Sequence, residues 1–234
     1  MKTRNWTKPG GHRAASSHKS SSVACPLCGL QRSRAFAEVN HRLYFECENC
    51  RLVHLAKEQR LAAAAEKQHY ALHENDPSDA GYRAFLARLA TPLAARLPAG
   101  AQGLDFGSGP GPTLSIMLEE LGFDMRIYDP FFAPDPAPLR CTYDFITCTE
   151  AVEHFFSPAE EFDLLDRMLR PGGWLGIMTG MLTAERVFEK WHYPRDPTHV
   201  SFYRPDTVDW IAARYGWSST SPGRDVVLYR KPAT

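Results

Sequence analysis

The 234-residue sequence predicts an α/β fold, mostly parallel strands alternating with helices, with a small cysteine module at its amino end. Three observations carry this expectation. Gly103-Leu104-Asp105-Phe106 is a short apolar run that breaks into Gly107-Ser108-Gly109-Pro110-Gly111, and Leu114, Met117, Leu118 and Leu121 then recur at helical spacing. That pattern reads as strand, tight loop and helix. A second short run, Met125-Arg126-Ile127-Tyr128, ends in Asp129-Pro130, and strand and helix patterns alternate again from Asp144 to Met178. Such alternation is the signature of a wound α/β sheet.

Taken in order, residues 1–22 carry Lys2, Arg4, Lys8, Arg13 and Lys19, no acid and many serines. This is the composition of a disordered basic tail, with a nucleic-acid-binding arm as the alternative. Cys25-Pro26-Leu27-Cys28 and Cys47-Glu48-Asn49-Cys50 follow, with 18 residues between Cys28 and Cys47. Two such knuckles converge four thiolates on a tetrahedral zinc, so Cys25, Cys28, Cys47 and Cys50 are the expected ligands of a zinc ribbon over residues 23–56. A pair of disulfides or free core cysteines are the alternatives, the first disfavoured where no secretion signal is seen. On this reading His41 and His54 are surface residues, because four cysteines already close the site.

Residues 57–78 form a bridge whose first part, Lys57 to Gln68, is alanine-rich and helix-prone. Asp79 caps the next helix, with Phe85, Leu86, Leu89 and Leu93 as its apolar stripe and Pro98-Ala99-Gly100 near its end. Beyond Asp129, four prolines at 130, 134, 136 and 138 forbid a regular helix. Asp144 to Cys148 is a strand leading into Thr149-Glu150-Ala151-Val152-Glu153-His154. Ser157-Pro158-Ala159-Glu160 has the form of a capping box, opening a helix that buries Phe162, Leu165 and Leu169. Trp174 to Met178 is a further strand. The stretch from Met181 to Arg204 is longer than a connection needs and holds Trp191, Tyr193, Asp196 and His199, so it is expected to wall a substrate pocket, as long functional loops do. A helix from Pro205 to Tyr215 and a strand from Val226 to Tyr229 complete the chain.

The glycine spacing narrows the ligand. A dinucleotide loop needs glycine at position 112, where this chain has Pro112, and a P-loop needs Gly-Lys-Ser/Thr, which is absent. An acid before Gly-x-Gly-x-Gly, with a second acid one βαβ unit later, resembles the class I S-adenosylmethionine (SAM)-dependent methyltransferases. So do the strand opened by Asp144 with Glu153-His154 after it, and Leu169-Arg170-Pro171-Gly172-Gly173 ahead of a strand. The resemblance implies a Rossmann-like, mostly parallel seven-stranded sheet over residues 79–234, with helices on both faces and SAM as cofactor.

It also implies a set of contacts. Gly107, Ser108, Gly109 and Gly111 approach the methionine and ribose portions, Asp105 acts on the amino-acid end, and Asp129 with Pro130 holds the ribose. Thr149 and Glu150 stand at the carboxyl end of a central strand, where open α/β sheets bind ligands. Residues 70–77 resemble the flap that covers the cofactor, with Tyr70 against it and His73 or Asn75 on its amino-acid end; a linker with polar caps is the other reading. Phe131 or Phe132 packs on the adenine or in the core. In such enzymes the Glu-His pair braces its loop, which gives His154 a structural part. His199 is the candidate catalytic base, or else a histidine bonded to backbone to hold its loop.

Charge bears on the acceptor. Net charge is zero, but acids outnumber bases from residue 79 onward, which speaks against a phosphate-backbone footprint there. No run of about 20 apolar residues is present, no signal-peptide core precedes residue 22, and Pro9-Gly10-Gly11 breaks any transit helix. A cytoplasmic methyltransferase without membrane contact is therefore expected. A small-molecule acceptor is preferred over RNA; a ribbon-guided RNA base methyltransferase and a non-catalytic binding protein are the alternatives. A cysteine knuckle ahead of this domain is similar in arrangement to ribosomal RNA guanine methyltransferases and some deoxysugar C-methyltransferases, in architecture only.

Overall fold

A computed structural model describes residues 23–72 and 75–234. The expected basic tail and His73 lie outside the described residues. The cysteine segment forms three antiparallel strands, β1 (Ser33–Val39), β2 (Arg42–Cys47) and β3 (Val53–Leu55). Asn40 and His41 turn the first hairpin with φ of 51° and 61°. Two consecutive left-handed residues match the twist of the flanking strands.

Helix α1 (Ala63–Tyr70) bridges to α2 (Ala80–Ala94), whose cap is the one expected: the Asp79 carboxylate accepts from the Gly81 and Tyr82 amides at 2.7 and 3.1 Å. Then come β4 (Gln102–Phe106), α3 (Thr113–Glu120) and β5 (Asp124–Tyr128). They are followed by β6 (Tyr143–Thr149), α4 (Pro158–Met168) and β7 (Leu169–Met178). The last elements are β8 (Ser201–Phe202), α5 (Pro205–Tyr215), β9 (Ser218–Gly223) and β10 (Val226–Arg230). Helix α4 starts where expected, but the Ser157 side chain makes no cap bond; its carbonyl accepts from the Glu160 amide instead.

The main sheet has the order β5-β4-β6-β7-β10-β9. Strands β5, β4, β6 and β7 are parallel, and β10 runs antiparallel to both its neighbours. Among the described residues the sheet has six strands, against the seven that the resemblance implies. The extra strand would lie beyond β5, where the proline-rich stretch forms only an isolated bridge, Asp129 to Ala133, and a short turn at Pro138–Arg140. Proline has no N–H to give a ladder, so β5 remains the edge.

The cysteine strands do not stand apart. Strand β8, from the long insert, pairs with β3 to make a four-stranded sheet of order β1-β2-β3-β8. Cys25, Leu27, Cys47, Cys50 and Leu52 belong to the same apolar core as Leu104, Phe106, Ile146 and Phe162. Phe188, Trp191, Tyr193 and Phe202 of the insert pack with Tyr44, Val53 and Leu55 of the cysteine strands. The insert therefore buries its aromatic side chains against the small sheet rather than walling the substrate space. His54, expected on the surface, is 2% exposed, with its ring bonded to the Ser33 hydroxyl at 3.0 Å. Burial pushes its pKa down to about 4. Among the described residues no helix is long and apolar enough to cross a membrane.

Candidate functional site

Strand β4 has β5 on one side and β6 on the other, so the chain reverses its direction of growth at the carboxyl end of β4. Ligands of open α/β sheets sit at such a point. A cavity of about 770 Å³ opens there, within the range of ligand pockets.

The glycine loop forms one end. Gly107 and Gly109 have φ of 82° and 65°, backbone that favours glycine. A side chain at Gly107 would also meet Ala151, 2.7 Å from its Cβ. At Gly111 a Cβ would lie 2.3 Å from the Asn75 carbonyl oxygen. Gly111 is not on the cavity wall; it lets the 75–77 segment cross the loop. Gly107, Ser108, Gly109 and Pro110 do line the cavity.

Asp129 lines it too, and its carboxylate is well anchored. It accepts from the Gly109 amide at 3.0 Å and from the Phe131 and Phe132 amides at 2.8 and 3.0 Å. These bonds tie the end of β5 to the glycine loop and hold Phe131 and Phe132, which face the cavity together with Pro130. Asp105 is different. It is 3% exposed, does not reach the cavity, and accepts from the Thr147 and Ser115 hydroxyls at 2.7 and 3.2 Å. Burial pushes its carboxyl up to about 6. Its place is as a brace joining β4, β6 and α3 behind the glycine loop, so any part it has at the cofactor is through that loop.

Thr149 and Glu150 line the cavity from the end of β6. Ser108 Oγ and Thr149 Oγ1 are buried without any hydrogen-bond partner. Buried polar atoms are nearly always paired, and these two orphans share one cavity wall. Glu150 is a non-glycine residue with φ of 47°, strain of the kind functional sites retain. Burial first, then the Glu153 charge, pushes its carboxyl up to about 9.

The opposite end gathers residues distant in sequence. Tyr70 donates to Glu66 at 2.7 Å and lays its ring against Phe131 and His154. His154 Nδ1 is 3.2 Å from the Thr198 carbonyl oxygen, and His199 Nδ1 is 2.8 Å from that of Tyr193. A carbonyl only accepts, so both imidazoles carry their proton on Nδ1. Burial disfavours the charged ring and lowers the His199 pKa. Asp196 is held at about 2: burial opposes its charge, but the hydrogen bonds from the Thr198 hydroxyl and amide favour it. Glu153 is fully buried and accepts from the Thr179 hydroxyl at 2.9 Å and from the Tyr193 hydroxyl. Of the insert, only Asp196 and His199 reach the cavity wall.

The loop bearing His199 is held by the cysteine sheet. The Arg42 guanidinium donates to the carbonyls of Pro194, Asp196, Pro197 and His199 at 3.4, 2.9, 2.9 and 3.1 Å. The Tyr44 hydroxyl donates to the Pro194 carbonyl at 3.2 Å. Neither these braces nor the role of Glu66 follows from the sequence reading, which had only the Glu-His pair as a loop brace. The spacing Glu150-x-x-Glu153-His154 was the available signal for Glu153.

In the cysteine module, Cys25 and Cys50 Sγ lie 3.4 Å apart, as do those of Cys28 and Cys47. These separations are too long for a disulfide of about 2.05 Å. All four sulfurs fall within 4.8 Å of one another, close to the roughly 3.8 Å spacing that Zn–S bonds of about 2.3 Å impose in a tetrahedron. The donor set fits zinc.

A doubly wound sheet, a glycine loop at its switch point and an acid ending the next strand define the class I SAM-methyltransferase fold. The chain belongs to the methyltransferase-domain family, which matches residues 78–221. No curated protein matches the sequence. Solved structures are similar in fold. The 1,6-didemethyltoxoflavin-N1-methyltransferase of Burkholderia thailandensis, solved with its substrate and S-adenosylhomocysteine, is 14% identical with a TM-score of 0.52. That likeness covers 86% of this chain and 99% of that one. Phosphoethanolamine N-methyltransferase 2 of Haemonchus contortus, solved with SAM, is 16% identical with a TM-score of 0.50, covering 65% of this chain and 41% of that one. An O-methyltransferase family protein of B. thailandensis is 16% identical with a TM-score of 0.49; the likeness covers 72% of this chain and 63% of that one, less than two thirds of its length.

Proposed function

We propose that this protein transfers a methyl group from SAM to a small-molecule acceptor, with zinc held by Cys25, Cys28, Cys47 and Cys50 as a structural ion. The observation that carries the reading is the pair of orphaned hydroxyls, Ser108 and Thr149, at the carboxyl ends of adjacent strands β4 and β6. When bound, SAM supplies a sulfonium-activated methyl carbon. The protein's work is then to bind, orient and exclude water.

Asp129 holds the ribose hydroxyls with the acceptor capacity its three amide bonds leave over. Ser108 and Thr149 take the polar amino-acid portion, and Phe131 and Phe132 offer apolar faces to the base. Tyr70 and Asn75 close the cavity from the bridge side. At the other end, His199 is neutral with its proton fixed on Nδ1, so its Nε2 lone pair is the group available to take a proton from an acceptor. Among the described residues no lysine or arginine lines the cavity, whereas the carboxyls of Asp129 and Asp196 do, with Glu66, Glu150 and Glu161 pushed by burial toward their neutral forms. That lining suits a cationic cofactor and repels phosphates, favouring a small acceptor over RNA. The ribbon adds little basic surface, because Arg34 and Arg51 are paired with Glu48 and Glu46.

Calorimetric titration of zinc-loaded protein with S-adenosylhomocysteine is the test. Micromolar affinity is expected, weakened by about tenfold or more in Asp129→Asn, which exchanges an acceptor oxygen for a donor. A folded protein that takes up no S-adenosylhomocysteine rules the reading out and leaves a binding protein built on this fold.

A further inference from the structure

We propose that Glu153, His154 and His199 form a divalent-cation site at the acceptor end of the cavity, and that the acceptor presents an oxygen donor to that ion. The proposal deepens the methyl-transfer reading and rests on it for the identity of the acceptor's partner. One potential ligand atom from each of the three residues lies within 4.8 Å of the other two. Small side-chain rotations bring such atoms to the roughly 2.0–2.2 Å of metal–nitrogen and metal–oxygen bonds.

The two rings are prepared for this. Each Nδ1 is committed to a different main-chain carbonyl, Thr198 for His154 and Tyr193 for His199. A ligating histidine characteristically donates its other ring N–H to a backbone carbonyl or carboxylate, which fixes the tautomer and aims the remaining lone pair. Here that lone pair is on Nε2 in both rings. The rings meet edge to face with centroids 4.8 Å apart.

Charge points the same way. Glu153 is fully buried, its bonds come from the hydroxyls of Thr179 and Tyr193, and among the described residues no lysine or arginine pairs with it. A buried carboxylate without a cationic partner is costly. A bound cation supplies that partner. His154, His199 and the neighbouring Glu150 are on the cavity wall, so a three-residue ligand set leaves coordination positions open toward the acceptor space. Two imidazoles with a carboxylate suit iron, cobalt or zinc better than magnesium or calcium, and the carboxylate admits manganese. With an ion in place the His199 lone pair would be occupied by it, and the ion would take over from His199 by lowering the pKa of a bound acceptor hydroxyl, whose proton would pass to solvent.

Manganese distinguishes this nitrogen and oxygen site from the thiolate cluster, which prefers softer ions. The experiment titrates Mn²⁺ into zinc-loaded full-length protein, following free Mn²⁺ by electron paramagnetic resonance, with S-adenosylhomocysteine calorimetry in parallel. One tightly held Mn²⁺ per chain is expected. His154→Gln and His199→Gln are expected to weaken it about tenfold or more, while His192→Gln, an exposed histidine of the same insert, leaves it unchanged. Retained S-adenosylhomocysteine binding in the glutamine variants shows that they are folded. A protein that binds S-adenosylhomocysteine but no Mn²⁺, or Mn²⁺ binding untouched by both glutamine variants, overturns the cation site and leaves methyl transfer standing. Mn²⁺ binding lost in those variants, with no S-adenosylhomocysteine binding in the wild type, supports the cation site and overturns the methyltransferase reading.

Discussion

The two ends of the cavity are built by different means. The glycine-loop end is made from one strand–loop–helix unit and the acid that ends the next strand, joined by main-chain amides donating to Asp129. The His199 end draws on the cysteine strands, the bridge helix, the loop after β6 and the long insert. Side chains reaching main-chain carbonyls, Arg42 and Tyr44 above all, hold it. A site of the first kind survives wherever its own segment folds. One of the second kind depends on a separate layer of the molecule being in place.

The largest expected effect tests that dependence. Cys50 is fully buried in the main core, and a structural zinc contributes on the order of 10 kcal/mol to folding. Chelation, or Cys50→Ser, is expected to lower the melting temperature by more than about 10 °C. Melting that ignores zinc would show that the His199 end does not lean on a metal-held layer.

A smaller effect belongs to the glycine-loop end. The Asp105 carboxyl titrates near 6 when folded, against about 3.9 in an unfolded chain. The folded state therefore binds this proton more tightly, and the stability that Asp105 contributes is fully present below pH 4 and is lost as pH rises through 6. The gap of about two units corresponds to about 3 kcal/mol. Asp105→Asn is expected to abolish that part of the decline, seen as a stability difference between variant and wild type that shifts in the variant's favour from pH 4 to pH 7 in urea melts. A difference that does not vary with pH would mean that Asp105 is not a buried brace.

The smallest effect separates the two ends most cleanly. Arg42→Met removes four donor contacts to the His199 loop, at a cost of about 2 kcal/mol. S-adenosylhomocysteine affinity should stay as it was while KM for the acceptor rises. Equal losses at both ends would show the cavity to be one cooperative unit.

Legibility in the sequence follows the same division. The glycine loop, the Asp79 cap, the span of α5 and the cysteine pairing are local patterns, and the structure has each of them. The spacing of Gly111 and Asp105 suits a cofactor loop, but only the packed structure has Gly111 making room for Asn75 and Asp105 tying three elements together. The aromatic residues of the insert suggested a substrate wall; a two-residue strand, β8, sends them into the small sheet instead.

The sequence by itself therefore determined the strand–loop–helix unit, the acid at the end of β5 and the four-cysteine set, because glycine conformations, proline's missing N–H and knuckle spacing act over a few residues. Only the tertiary structure decided that the cysteine sheet and the insert are one layer, that Arg42 positions the His199 loop, and that Glu153, His154 and His199 meet. Those contacts join residues far apart along the chain, and their energy exists only once the intervening elements have packed.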